Sequence, residues 1–208
     1  MYVPSYSEQK ELPLICSFIN EYPFGTLVTH SDLGLNANHY PFLLDNNEEI
    51  VLWTHLAKNN PQWKYFQDKK ECLLIFTGPH AYISPAFYEN KLNVPTWNYT
   101  AVHLNCEADI VDDIKLQQQL MKRLVENFEE TSQTNWQFDL PEEFVQKLSS
   151  AIVWLKFKVK KVDAKFKLSQ NREKADYLKV LNEFSTRDSD NDQELFKYMN
   201  LTMPSKMK

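Results

Sequence analysis

Hydrophobic and polar positions change period several times along the chain, and each change marks an element. Leu14, Ile15, Phe18 and Ile19 recur at helical spacing within residues 11–22, with Pro13 near the first turn, where proline is tolerated. The period then shortens. Phe24–His30 is rich in β-formers, Ser31–Gly34 reads as a turn, and Asn38–Leu44 reads as a second strand. Asp45–Glu48 is another turn and Ile50–Thr54 a third strand, so this part predicts a meander of short antiparallel strands. Pro61 suits the first turn of a helix within Leu56–Phe66, capped by Asn59 or Asn60. Cys72–Phe76 is almost continuously apolar, which predicts a central strand buried on both faces, and His80–Ser84 predicts a separate short one.

Thr100–Ile110 alternates along its length. Val102, Leu104, Cys106, Ala108 and Ile110 point one way, and His103, Asn105, Glu107 and Asp109 the other. Leu116, Leu120, Leu124 and Phe128 then mark a helix over about Asp113–Glu130, with Asp112 or Asp113 as its cap. A shorter helix starts near Pro141, with Glu142 and Glu143 placed favourably for its dipole. Residues 151–163 return to period two. Val153, Leu155, Phe157 and Val159 face inward, and Trp154, Lys156, Lys158 and Lys160 face outward, the pattern of an exposed or edge strand. Glu173–Phe184 and Gln193–Met199 are helical in pattern, with a polar loop between them. Short strands with turn signals, then helices, then one more strand predict the α+β class, a β-barrel with peripheral helices.

Composition narrows the chemistry. The chain has three glycines, Gly25, Gly34 and Gly78, which excludes the glycine-rich phosphate cradles of Rossmann and P-loop proteins. Any phosphate must be held by side chains and ordinary backbone amides. Cys16, Cys72 and Cys106 are far apart and form no CxxC, which fits buried free thiols in a reducing compartment. No secretory leader or membrane-spanning run is present, so the expected location is the cytoplasm. The net charge of −5 gives no global basic footprint for nucleic acid.

Two segments carry candidate chemistry. Trp53–Trp63 follows a strand and opens a helix. It offers a hydroxyl, an ammonium, amides and free helix N–H groups, a set suited to a phosphate monoester. Val94–Tyr99 places two aromatics and polar groups around a proline, a combination that borders a flat heterocycle or fills core. His30, His39, His55, His80 and His103 show no metal-ligand spacing, so no metal is expected, and no catalytic residue is assigned. Lys156, Lys158, Lys160, Lys161, Lys165 and Lys167 form a run that suits a solvated edge strand or a phosphate contact.

Taken in order, Met1-Tyr2-Val3-Pro4, His55 to Trp63, Gly78-Pro79-His80-Ala81-Tyr82-Ile83-Ser84-Pro85, Val94 to Tyr99, Ala101-Val102-His103 and Lys167-Leu168-Ser169-Gln170-Asn171-Arg172 resemble the signature of the PaiB-type family of FMN-binding negative transcriptional regulators. The resemblance implies an FMN-binding split β-barrel, antiparallel and Greek-key-like, with peripheral helices and with flavin at a homodimer interface. It implies Thr54, His55, Lys58 and Asn59 as phosphate or ribityl ligands. It implies Asn38 and His39 at the isoalloxazine edge, and Trp97 and Asn98 lining the pocket from the partner subunit. Residues 1–170 would be the flavin domain, with a helical insertion at about 113–149, and 171–208 a helical extension packed on the barrel. DNA, if it is contacted directly, would meet the lysine strand, although no helix-turn-helix is visible. A flavin-dependent oxidoreductase is the alternative function, and haem handling a remoter one.

Overall fold

The computed structural model describes residues 1–32, 34–46, 49–68, 71–90, 92–132 and 136–205. Along the chain run α1 (Leu12–Glu21), β1 (Phe24–Ser31), β2 (Gly34–Pro41), β3 (Leu43–Asp45) and β4 (Val51–Ala57). A 3-10 turn (Pro61–Lys64) leads into α2 (Tyr65–Asp68), β5 (Glu71–Ile83) and β6 (Thr96–Ile110). Then come α3 (Ile114–Ser132), α4 (Glu142–Ser150), β7 (Ile152–Lys167), α5 (Lys174–Ser185) and α6 (Asp190–Leu201). The strands form one sheet in the order β2-β1-β5-β6-β7-β4-β3. β1 pairs antiparallel with β2 and β5, and β4 with β3 and β7. Gly34 closes the β1–β2 turn with φ 101°, a conformation that costs glycine little.

The expected helices form where their caps and apolar stripes place them. Asp113 caps α3, its Oδ1 accepting from the Lys115 and Leu116 amides. Asn60 caps the 3-10 turn by accepting from the Gln62 amide at 3.0 Å. Several strand expectations are corrected. The strand expected over residues 38–44 is β2 followed by a separate β3, divided at Phe42. The two strands expected over 72–84 are the single strand β5, which runs through Pro79. Leu73 and Ile75 are only half-buried between buried Cys72, Leu74 and Phe76, so the apolar run is not buried on both faces. β7 is an interior strand between β6 and β4, not an edge. Trp154, expected outside among lysines, is buried under α3. Leu33, Asn47 and Glu48 of the expected turns lie outside the described residues.

Contacts divide the chain into two units. One comprises Ile19–Ile75 and Leu104–Val162, the other Met1–Phe18, Phe76–His103 and Asp163–Lys208. In the first, Leu27, Leu52, Leu56, Leu74 and Phe157 are buried, and Phe42 and Phe66 meet Phe157 edge-on. A further cluster in that unit joins Leu43, Trp53, Val111 and Trp154 to Leu120 and Leu124 of α3. In the second unit, Phe18 of α1, Phe166 of β7 and Tyr198 of α6 form a triad with centroid separations of 5.2–5.7 Å. Tyr177 of α5 donates to the Met199 carbonyl at 2.7 Å, tying the last two helices together.

Candidate functional site

The candidate residues on strands come as adjacent pairs, and strand alternation sends the members of each pair to opposite faces. In β2, Asn38 pairs with buried Leu27, whereas His39 pairs with Thr26, lies exposed and stacks on Phe24 at 6.1 Å. In β4, Thr54 is buried and donates to the Pro41 carbonyl at 2.6 Å. That hydroxyl can now only accept from a ligand. His55 faces the other way, its ring 4.8 Å from Trp154.

Asn38 belongs to a polar network that the sequence reading did not assemble. Gln62 is buried at its centre, and its Oε1 accepts from Asn38 Nδ2 and the Tyr40 hydroxyl, both at 3.0 Å. Gln62 Nε2 donates to the Leu27 carbonyl at 3.2 Å and to Thr29 Oγ1 at 3.3 Å. Asn60 Nδ2 donates to the Tyr40 hydroxyl at 2.8 Å. The signal was present as Asn36, Asn38 and Tyr40 on one face of β2, but their shared partner lies 22–26 residues further on.

This network braces the turn after β4. The Lys58 amide donates to the Ala151 carbonyl at 2.8 Å, and the Lys58 carbonyl accepts from the Trp63 indole at 2.8 Å. The side chains of Lys58 and Asn59 project from this rigid turn, exposed. Among the described residues the Lys58 ammonium forms no ion pair. A fixed turn carrying an unneutralised cation and a carboxamide can hold an anion.

His55 Nδ1 and Trp154 Nε1 are both buried without a hydrogen-bond partner among the described residues. Burial lowers the His55 pKa below its ordinary 6.5. The unfolded chain therefore binds the proton first as pH falls, so stability is full above 6.5 and declines from there down through the folded pKa. His55→Gln should flatten the fall in melting temperature between pH 7 and pH 5. Parallel curves for the two proteins would remove His55 from that role. His103, also lowered by burial, titrates in both proteins and cancels.

The other pair splits in the same way. Asn98 is fully buried, its Oδ1 accepting from the Ser169 hydroxyl at 3.1 Å, whereas Trp97 is half exposed beside His80 and Tyr82. Burial, with Cys106 nearby, raises the Cys72 thiol pKa, and burial pushes that of Cys106 up to about 12, so neither is a ready nucleophile. Among the described residues no helix is long and apolar enough to cross a membrane.

Residues 1–161 match the family described as "Putative FMN-binding domain". The chain belongs to this family. It is 34% identical over 201 residues to the protease synthase and sporulation protein PAI 2 of Bacillus subtilis, covering 96% of each chain. Among solved structures it resembles the flavocytochrome Anf3 of Azotobacter vinelandii, with a TM-score of 0.60 and 10% identity, covering 79% of this chain and 72% of that one. It also resembles the FAD and haem binding protein of Mycobacterium smegmatis, with a TM-score of 0.57 and 12% identity, covering 77% and 73%. At such identities the likeness is one of fold. The family has the α+β split-barrel fold of flavin-binding proteins.

Proposed function

We propose that the protein binds FMN and acts as a homodimeric, cytoplasmic negative transcriptional regulator. The observation that carries the reading is the Lys58 ammonium, without a carboxylate partner among the described residues, on a braced turn in a chain of the FMN-binding family. Lys58 and Asn59 fit a phosphate that bears close to two negative charges. Asn38 and His39 would meet the ring edge, Thr54 would order the end of β2, and His55 would offer its open nitrogen. Trp97 would line the pocket from the partner subunit, with Asn98 fixing the strand beneath it. In this reading residues 1–170 form the flavin domain, with an insertion at about 113–149, and 171–208 a helical extension. When bound, FMN supplies a ring that accepts and returns electrons.

The lysine strand is a poor DNA contact at its middle, because Lys160 pairs with Glu107 at 2.9 Å and Lys158 with Asp109 at 3.9 Å. Regulation through another face, or without direct contact, fits better. A gel-shift screen with and without FMN tests direct DNA contact.

The visible spectrum of freshly purified protein, with released cofactor identified by mass, tests the flavin reading. Yellow protein releasing FMN supports it. Colourless protein that takes up no added FMN sinks it. Lys58→Ala should weaken FMN binding at least several-fold in a fluorescence titration, and an unchanged affinity would remove Lys58 from the site.

A further inference from the structure

One helix of the first unit leaves an apolar stripe uncovered by its own chain. Each of α1, α2, α3, α5 and α6 sets at least one side chain into a core, whereas α4 has no buried residue. Val145 and Ser149, four residues apart, are half-buried and form its inner row. Phe144 and Leu148 form the neighbouring row, and they are 47% and 41% exposed. A helix of nine residues is marginal in water without a covered apolar face.

The charges beside that row are ordered along the helix. Glu142 and Glu143 stand in the first turn and Lys147 in the last. Glu143 and Lys147 occupy the row on the other side of Phe144 and Leu148. They form no ion pair with each other or with any other charged group among the described residues. Gln146 Nε2 donates to Glu142 Oε1 at 3.3 Å, so the first-turn carboxylate with a partner is Glu142 and not Glu143. The exposed side of α4 thus runs from a negative end, over an apolar pair, to a positive end.

An antiparallel copy of the same helix carries this order reversed. When two helices pack antiparallel on one apolar row, the rows on the same side of it face each other, and their charges set partner and direction. Phe144 then meets the partner's Leu148, and Glu143 meets the partner's Lys147, each contact occurring twice by symmetry. A parallel copy would set the charged row against Val145 and Ser149 and gain no pair. The chain carries a net charge of −5, so two copies repel at a distance and can meet only where opposite charges match.

We propose that α4 is a self-association surface, on which α4 of a second copy of this chain packs antiparallel through Phe144 and Leu148, with Glu143 and Lys147 fixing the direction. It uses none of the residues assigned to the flavin pocket and does not rest on the flavin reading. Nine residues span about 14 Å, and a standard interface buries roughly 800 Å² on each partner. The contact is therefore weak and depends on concentration.

The test is sedimentation velocity of the full chain across a concentration series, as the parent and as Phe144→Gln, Leu148→Gln, Glu143→Lys and Lys147→Glu. The parent should show a step in mass, from dimer to tetramer where the proposed homodimer forms and from monomer to dimer where it does not. Phe144→Gln and Leu148→Gln should each move that step to concentrations about tenfold higher or more. Glu143→Lys and Lys147→Glu should each weaken association several-fold, because each alone brings like charges together twice. An equimolar mixture of these two should restore it, because both contacts then join opposite charges. Mixing leaves the stability of each helix untouched, so this comparison stands even where a charge variant frays α4. A mixture that associates no better than either variant, or a mass profile that neither Phe144→Gln nor Leu148→Gln alters, overturns the proposal and leaves the homodimer reading in place.

Discussion

Trp154→Ala should lower the unfolding free energy by about 3–5 kcal/mol, measured as a shifted midpoint in urea. Trp154 is 1% exposed in the cluster of Leu43, Trp53, Val111, Leu120 and Leu124. Its carbonyl accepts from the Val111 amide at 2.9 Å, so the strand is pinned and cannot settle into the space left behind. A loss of that size is a large part of the 5–15 kcal/mol typical of a domain. Trp154→Phe should cost much less. It keeps most of the ring volume, and the indole N–H it removes has no partner among the described residues. A Trp154→Ala protein within about 1 kcal/mol of the parent would mean that α3 does not pack on this face as described.

That packing shows what the sequence could and could not reveal. The helices were legible because a cap and a period of 3.6 are local signals: Asp113 and the stripe from Leu116 to Phe128 suffice for α3. Alternation in β7 was legible too, but it tells only which residues share a face, not which face another element covers. Trp154 and Leu155 are adjacent, lie on opposite faces and are both buried, because α3 covers one of those faces. β5 continues through Gly78-Pro79, a pair that locally resembles a break, because a strand accepts proline wherever no ladder donor is needed.

The candidate site was legible as segments and not as geometry. Each of the pairs Asn38 and His39, Thr54 and His55, and Trp97 and Asn98 is adjacent in sequence, yet strand alternation turns its two members to opposite faces. Lys58 and Asn59 escape this limit because they sit on a turn. The cations Lys165, Lys167 and Arg172 were visible within a lysine run and a family motif. Their lack of a carboxylate partner among the described residues is a three-dimensional fact, as is the hub at Gln62.

Gly78→Val should destabilise the protein by about 3 kcal/mol, the upper end of the usual cost of overpacking a close-fitted core. The backbone at Gly78 is not left-handed, so the glycine is required by space and not by conformation. A Cβ there would lie 2.5 Å from Phe18 Cε2 and 2.7 Å from Thr100 Oγ1. Neither neighbour can retreat cheaply. Phe18 is fully buried between Phe166 and Tyr198, and the Thr100 hydroxyl donates to the Pro79 carbonyl at 3.3 Å. Gly78→Ala should show the same effect at smaller size, about 1–3 kcal/mol. Shrinking the ring should relieve it, so Gly78→Ala combined with Phe18→Leu should be more stable than the two single losses added together. Additive losses in that double-mutant cycle, or a Gly78→Val protein that melts with the parent, would show that α1 does not press Phe18 against this strand.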